Sequence, residues 1–372
     1  MECVARVGKT QRRREVEWAM TYRSPALDLP GAVPPPEGSL DSGVPWHFGD
    51  PHGEQRRLES GAGAVDLSHR GVVTVTGPDR LTWLHSLTTQ HLEALPSGVS
   101  TTALILTPQG HVEHELHIVD DGSTTWITVE PGSAEALAAY LDSMRFMLRV
   151  EVLDVTPDWA VIWEPVHEVD PAWPTWLVAP DFALGEISAA GADRGGDATR
   201  YVDHRPALLV GREVLVPRAD LLDRLGQDPA GTWALEALRV AAAAPRLGLE
   251  TDHRTLPHEV GWIGPAVHLA KGCYRGQEAV ARVHNLGAPP RRLALLHLDG
   301  AAEVLPAHGD LVLLDERAVG WVASAARHHE LGPVATVVLK RNVPADADLI
   351  VRTASGDVAG AQEAVIVSAS TR

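Results

Sequence analysis

The sequence predicts an α+β fold that ends in a small antiparallel β-barrel, and three observations support this class. Between residues 73 and 156, alternating segments typical of half-buried strands are interspersed with helical patterns. A strand that ends in valine and proline and leads into a helix occurs twice, at residues 126–131 and 213–217, which suggests two related α+β domains; chance recurrence of a common strand-to-helix device is the alternative. From Arg291 onward only short β patterns remain, separated by Gly, Pro or charged turns.

The first α+β region comprises residues 46–156. Residues 73–76 alternate valine with threonine as in a strand, and Pro78 favours the start of a helix with leucines on one face. The patterns that follow predict a strand, a hairpin, a helix and a last strand, at residues 102–106, 112–119, 125–129, 133–144 and 148–152. This succession is typical of an α+β arrangement.

The second α+β region, residues 157–288, begins with weaker patterns. We expect a strand at residues 159–163 and a long exposed connection near residues 189–198. A later strand and two helices are predicted at residues 213–217, 219–225 and 232–244. The barrel occupies residues 289–372, with strands predicted at residues 293–298, 310–314, 319–323 and 334–339. Residues 1–45 are expected to be a flexible lead-in because prolines cluster there, and Met20 is an alternative start.

Composition narrows the class of function. Lys and Arg total 32 against 49 Asp and Glu, which gives a net charge of −17 and disfavours nucleic-acid binding through phosphate neutralisation. No apolar run approaches the roughly 20 residues of a membrane helix, and the N-terminus lacks the apolar core of a secretory signal. The only cysteines are Cys3 and Cys273, so a disulfide framework is excluded and the cytoplasm is the expected location.

The most informative stretch is Lys271-Gly-Cys-Tyr-Arg-Gly-Gln-Glu-Ala-Val-Ala-Arg282, which places a cysteine between glycines directly before a predicted helix. The glycines permit left-handed backbone angles and close approach to a ligand. The helix is expected to begin at Gln277, with Glu278 in its first turn and Arg282 one turn later. Cys273 therefore has the surroundings of a reactive thiolate. The alternative is a small buried residue in a tight turn.

Lysine is scarce in this chain, because it occurs only at positions 9, 271 and 340 while arginine supplies nearly all the positive charge. The retention of Lys271 in the cysteine loop indicates that a compact ammonium is needed there. Lys271 is a candidate for tuning the thiol or binding a carboxylate. A solvated loop lysine is the alternative interpretation.

The motif closely resembles the signature of the YgfZ family of folate-binding proteins, a branch of the glycine-cleavage T-protein superfamily. Supporting matches are Thr76-Gly-Pro-Asp-Arg80, Leu106-Thr-Pro-Gln-Gly110, Pro257-His-Glu259 and Leu331-Gly-Pro-Val334. The resemblance covers residues 230–345 well and residues 60–155 loosely. It implies a T-protein-like fold around a central folate channel that the cysteine faces, and a role in assembling or repairing iron–sulfur clusters in other proteins.

Two segments depart from the T-protein enzymes. Those enzymes carry an aspartate pair where this chain reads Gly110-His-Val-Glu-His-Glu115, and a glutamate in the helix segment that reads Leu238-Arg-Val-Ala-Ala242. Methylene transfer requires a carboxylate poised at the folate nitrogens, so these departures put aminomethyl transfer in doubt. The competing hypothesis is a folate-dependent one-carbon transferase that uses Glu115 or Glu259 as its acid or base.

The candidate site combines two chemically active groups with a set of folate contacts. Cys273 is expected to act as nucleophile, redox thiol or transient ligand, with Lys271 beside it. The residues expected to contact tetrahydrofolate or a derivative are Tyr274, Gly276, Gln277, Glu278, Arg282, Glu259 and Trp233. Loop anchoring by Tyr274 and core packing by Trp233 are the structural alternatives.

No permanent metal site is predicted, because no C-x-x-C or H-x-x-x-H spacing supports His258, His268 and His284 as ligands. With the family resemblance, the leading hypothesis is a cytoplasmic folate-binding protein with no conventional turnover of its own established, and the alternative is the one-carbon transferase. The expected partners are a reduced folate and iron–sulfur client or assembly proteins, with neither nucleic acid nor membrane among them.

Overall fold

The computed structural model describes residues 22–177, 201–203, 209–286, 289–301 and 304–368. The connection expected near residues 189–198 and the alternative start at Met20 lie outside these ranges. None of the helices in the described part of the chain combines the length and the apolar character that spanning a bilayer requires.

The secondary structure alternates strands and helices up to residue 286 and is then built of strands. The helices of the described ranges are α1 (Pro51–Glu59), α2 (Arg80–Leu87), α3 (Ala134–Met144), α4 (Leu221–Leu225), α5 (Thr232–Ala241) and α6 (Gln277–Leu286). The strands up to residue 217 are β1 (Val65–Asp66), β2 (Gly71–Thr76), β3 (Ser100–Leu106), β4 (Val112–Asp120), β5 (Thr124–Val129), β6 (Glu151–Asp154), β7 (Trp159–Glu164), β8 (Thr175–Leu177), β9 (Tyr201–Asp203) and β10 (Arg212–Pro217). The later strands are β11 (Arg291–Leu298), β12 (Leu311–Leu314), β13 (Arg317–His328), β14 (Gly332–Lys340), β15 (Asp348–Thr353), β16 (Gly356–Ala364) and β17 (Ile366–Ser368).

The first α+β region is a five-stranded antiparallel sheet with the strand order β3-β4-β5-β2-β6. Val73 and Val75 of β2 are fully buried and share one apolar core with Leu84 of α2 and Leu137 of α3. The helices therefore cover the face of the sheet that these alternating residues present, as the sequence pattern predicts.

The second α+β region is built on a smaller sheet with the order β1-β7-β10-β8, in which all pairs are antiparallel. Val161 of β7 and Leu215 of β10 pack in one core with Leu58 of α1 and with Ala234 and Leu235 of α5. Helix α5 thereby connects this sheet to the barrel, because the opposite side of the helix contributes to the core that β11, β13 and β14 build.

Strands β11 to β16 close into an antiparallel barrel with the order β11-β14-β13-β12-β15-β16. This confirms the predicted fold class of α+β regions followed by a C-terminal barrel. Strands β15 and β16 are not among the strands predicted from the sequence. Strand β16 reads Gly-Asp-Val-Ala-Gly-Ala-Gln-Glu-Ala, a composition with low β propensity, so its pairing with β11 and β15 rather than its own residues makes it a strand.

Three predicted boundaries are wrong. Residues 22–45 are not a flexible lead-in, since Ala26 and Val44 are fully buried in the folded body. The strand expected at residues 148–152 begins at Glu151, because the preceding residues form an exposed turn in which Phe146 has a φ of 47°. The helix expected to reach residue 244 ends at Ala241, two residues before Ala243 adopts a φ of 47°.

A network of buried ion pairs joins these parts at their centre. Arg246 pairs with Asp41 of the N-terminal segment at 2.7 Å and with Glu130, which follows β5, at 2.8 Å. Arg70 continues the network from Glu130, at 3.2 Å, to Glu213 of β10, at 2.6 Å. All five side chains are nearly inaccessible to solvent, so each charge depends on its partners.

The same network extends into the barrel. Arg239 of α5 pairs with Glu250 at 3.0 Å, and the carboxylate of Glu250 accepts hydrogen bonds from Ser324 of β13, at 2.7 Å, and Thr336 of β14, at 2.6 Å. Glu236 bridges Arg239 to Arg246. The two sheets, α5 and the barrel therefore share one continuous network of ion pairs and hydrogen bonds.

His117 of β4 forms the edge of this network that faces β8. Its ring stacks on Trp176 with centroids 3.7 Å apart, and its Nδ1 lies 3.1 Å from the carboxylate oxygens of Glu213. Burial alone would lower the pKa of His117, but the carboxylates of Glu213 and Glu115 outweigh burial and raise the pKa to about 9. His117 is therefore a cation at neutral pH.

The raised pKa of His117 predicts a specific loss of stability in alkali. Its contribution is fully present below the unfolded pKa of about 6.5 and disappears as pH rises through 9, with a magnitude on the order of 3 kcal/mol. We expect the difference in unfolding free energy between wild type and His117→Gln, measured with urea, to shrink between pH 6.5 and 9.5. A pH-independent difference for His117→Gln would contradict the prediction.

Candidate functional site

The loop that carries Cys273 lies between the 3₁₀ turn Pro257–Glu259 and the start of α6 at Gln277. Cys273 is a free and exposed cysteine, and the neighbouring Gly272 is exposed as well. The thiol is thus accessible, which removes the alternative of a small residue buried in a tight turn.

Two glycines interlock the start of α6 with the turn between β3 and β4. Gly276 has a φ of 84°, and a Cβ built on it would lie 2.5 Å from the carbonyl oxygen of Thr107. Gly110 has a φ of 81°, and its Cβ would lie 2.8 Å from Ala279 of α6. Only residues without a Cβ allow this approach. The structure therefore brings together two motifs that are about 165 residues apart in the sequence.

Lys271 holds the other end of the loop. Its buried ammonium donates hydrogen bonds to the backbone carbonyls of His85, Thr88 and Gln90, at 2.5 Å for Thr88 and 3.2 Å for Gln90. Burial lowers the pKa of Lys271 to about 8. An ammonium has three N–H donors, so these acceptors use all of them, and this geometry supports a positioning role rather than contact with a ligand.

Further hydrogen bonds, from side chains and backbone, reinforce the attachment of residues 265–271 to the turn after α2. The hydroxyl of Thr89 donates to the carbonyl of Ala266 at 2.5 Å, and the amide of His268 donates to the carbonyl of Thr89 at 2.9 Å. Gln90 donates its side-chain amide to the carbonyl of Pro265 at 3.2 Å. The turn after α2 is therefore one of the two elements that hold the Cys273 loop, the other being the turn between β3 and β4.

Tyr274 and Gln277 lie inside the loop structure. Tyr274 is buried in an apolar cluster with Leu104, Val112 and Val280, and burial raises its pKa to about 12. The ammonium of Lys271 lies 5.3 Å from the centre of its ring, within cation–π range. Gln277 donates a long hydrogen bond of 3.4 Å to the carbonyl of Lys271. These contacts give both residues a part in shaping the loop.

The charged residues near Cys273 point outward. Arg275 pairs with Glu113 of β4 at 3.0 Å and lies over the ring of Tyr140 at 6.0 Å. Glu278 and Arg282 are both exposed on α6, one helical turn apart. The exposed surface around the thiol therefore carries charges of both signs.

Glu259 is fully buried below the loop. Nε of Arg291, in the barrel, donates to its Oε2 at 2.9 Å, and the guanidinium also pairs with Asp252 at 2.7 Å. Burial raises the pKa of Glu259, and the guanidinium of Arg291 opposes this shift. Its other oxygen, Oε1, is buried and has no hydrogen-bond donor among the described residues.

Trp233 packs against a different apolar cluster from Tyr274. It stacks on Trp46 with ring centroids 5.6 Å apart and packs against the core between α5 and the barrel, whereas Tyr274 and Val280 belong to another cluster. These contacts fit the structural alternative of core packing. Sequence reasoning also missed the carbonyls that receive Lys271, because backbone acceptors leave no signature in a sequence.

Comparisons with known proteins agree with this architecture. Residues 41–163 match the family model described as the GCVT N-terminal domain. The crystal structure of the glycine cleavage system aminomethyltransferase T from Bartonella henselae superposes with a TM-score of 0.68, at 17% sequence identity, over 93% of this chain and 96% of that one. This likeness shows the shared fold.

Two relatives are named for different functions. An aminomethyltransferase of Rubrobacter xylanophilus is 28% identical over 304 residues, which cover 78% of both chains. A mitochondrial iron–sulfur cluster assembly factor IBA57 homolog of Chaetomium globosum is 25% identical over 301 residues, which cover 75% of this chain and 65% of the relative. Together with the domain match, these similarities support the T-protein superfamily for this chain.

The glycine interlock predicts that two similar substitutions have different costs. Gly276→Ala should lower the free energy of unfolding by more than about 1 kcal/mol, because the new Cβ meets the Thr107 carbonyl and the φ is positive. Gly272→Ala should change it by less than about 0.5 kcal/mol, since no atom lies within 4 Å of that Cβ. Urea unfolding measures both values, and equal costs would refute the interlock.

The hydrogen bonds from the Lys271 ammonium to three carbonyls predict that the loop becomes more mobile when this side chain is replaced. Lys271→Met should cost on the order of 2 kcal/mol and increase amide hydrogen exchange over residues 268–276, because three carbonyls lose their donor. Lys271→Arg should not restore protection. The matched control is Lys340→Met, whose exposed ammonium donates one hydrogen bond, to the carbonyl of Ala318, among the described residues. Unchanged amide exchange in Lys271→Met would argue against this role of the ammonium.

Proposed function

We propose that this chain is a cytoplasmic, YgfZ-like protein that binds a reduced folate and supports the assembly or repair of iron–sulfur clusters in other proteins, with Cys273 as its working thiol. One observation carries the proposal: an exposed thiol lies on a loop that a buried lysine and two interlocked glycines hold in place. Such a loop can present Cys273 to a partner in one orientation. The likeness to the fungal assembly factor homolog supports this choice.

The buried Glu259 fits a folate. Its Oε1 lacks a donor among the described residues, while the edge of a pterin ring offers adjacent N–H groups that a carboxylate accepts. Arg291 holds the other oxygen and keeps the carboxylate oriented. When bound, a reduced folate would supply its capacity to carry a one-carbon unit. In this proposal Glu259 holds the ring edge, and Lys271 positions the loop.

The second candidate is a folate-dependent one-carbon transferase. It is favoured by the likeness to aminomethyltransferases and by Glu115, a buried carboxylate of β4 whose Oε1 lies 3.8 Å from His117. Glu259 is less suited to move a proton, because Arg291 is bound to it. Steady-state assay of the purified protein with 5,10-methylenetetrahydrofolate separates the candidates, since sustained turnover would establish the transferase and overturn the non-enzymatic proposal.

The thiol proposal predicts a separation of folding, binding and function. Cys273→Ser should fold as the wild type does and bind tetrahydrofolate with unchanged affinity, measured by tryptophan quenching, because the side chain is exposed. It should nevertheless fail to restore iron–sulfur enzyme activity in a strain that lacks this protein. Cys3→Ser is the matched control and should restore activity fully. Full rescue by Cys273→Ser would eliminate the thiol from the mechanism, and absence of saturable folate binding to wild type would eliminate the folate.

A further inference from the structure

A group of potential metal ligands lies beside the Cys273 loop. His85 is in the last turn of α2, and His91 and Glu93 lie in the segment that follows it. One ligand atom from each of these side chains lies within 4.8 Å of the other two. His268 belongs to the segment 265–271 that contacts this turn, and its ring centroid lies 5.6 Å from that of His91.

The fold holds this cluster together through the turn after α2. The carbonyls of His85 and Gln90 both accept hydrogen bonds from the Lys271 ammonium, so the chain reverses direction between His85 and His91. Leu92 is fully buried between His91 and Glu93 and leaves these two side chains exposed on the same turn. The rings of His85 and His91 meet edge to face at 4.8 Å. The arrangement is thus built by tertiary contacts and not by sequence spacing alone.

The donor set selects a class of metal ion. Two imidazoles and one carboxylate suit divalent first-row transition metals, whereas calcium and magnesium prefer oxygen ligands. At His85, a metal must replace or reorient one hydrogen bond, since Nδ1 accepts from the Leu92 amide at 3.2 Å. That bond contributes about 1 kcal/mol. The positive charge of Lys271 opposes a cation nearby, and the carboxylate of Glu93 offsets it.

A second histidine cluster is less suitable. Glu59 of α1 is already bonded to His329 and lies 3.6 Å from Nε2 of His328. Nδ1 of His328 accepts two backbone amides, from Glu330 and Leu331, both at 3.2 Å. These contacts satisfy the groups and connect α1 to the barrel. The cluster of His85, His91 and Glu93 has fewer competing bonds and two exposed members.

We propose that His85, His91 and Glu93 form a binding site for one divalent first-row transition-metal ion, with His268 at its edge. The site is defined without Cys273 or a folate, so it stands independently of the proposed function. The site lies on the turn after α2, which contacts Lys271, Ala266 and His268 of the Cys273 loop, so a bound ion would lie close to this loop.

Cobalt(II) is a suitable probe, because its absorption reports coordination by nitrogen and oxygen. Tag-free wild-type protein should bind one equivalent with roughly micromolar affinity, measured by absorption and isothermal titration calorimetry. His91→Ala and Glu93→Gln should each weaken binding at least about tenfold. Both residues are exposed, so these variants should fold. His253→Ala, an exposed histidine outside both clusters, and Glu59→Gln should bind as wild type does.

Zinc(II) provides a second measurement at the level of one amide. Because coordination at His85 removes the hydrogen bond from Leu92, zinc should shift the Leu92 amide resonance in wild type and not in His91→Ala. The proposal is overturned if wild type binds no cobalt, if His91→Ala and Glu93→Gln bind it unchanged, or if Glu59→Gln alone abolishes binding.

Discussion

The buried guanidinium of Arg246 is the constraint on which the assembly of the molecule depends. It contacts Asp41 before α1, Glu130 after β5 and Glu236 of α5, so three distant segments satisfy one charge. Removing any of these partners from a buried cation costs several kcal/mol, which makes their separation unfavourable. Arg246 also lies in the segment that leads from α5 to the Cys273 loop. The network therefore fixes the start of the segment that leads into that loop, and it also fixes how the sheets pack.

At the other end of this segment, the loop is fixed by backbone groups. Carbonyls of the turn after α2 converge on the nitrogen of Lys271. An ammonium carries its three donors on one atom, whereas a guanidinium spreads five donors over a plane, so arginine cannot reproduce the contact. This explains why a chain that uses arginine almost everywhere retains a lysine here. The glycine pair Gly110 and Gly276 then sets the direction in which α6 leaves the loop.

Much of the fold can be predicted from the sequence because its elements carry local signals. Alternating Val73 and Val75 face the core as expected, and α6 begins at Gln277. Longer-range features are not visible in this way. Asp41 belongs to a proline-rich segment with no strong pattern, yet its partner Arg246 is 205 residues away. Within the site, the sequence indicates Cys273 and its glycines, but tertiary contacts alone assign Trp233 to a core and Lys271 to backbone carbonyls.

The scarcity of lysine has a practical consequence. In the described part of the chain, Lys340 is exposed and Lys271 is buried, and Lys9 precedes the described residues. Acylating reagents attack an accessible, uncharged amine, so Lys340 should be modified quickly and Lys271 only during transient openings of its loop. The ratio of the Lys271 and Lys340 labelling rates, measured by mass spectrometry, would therefore report how often the loop that carries the thiol opens, without any engineered probe.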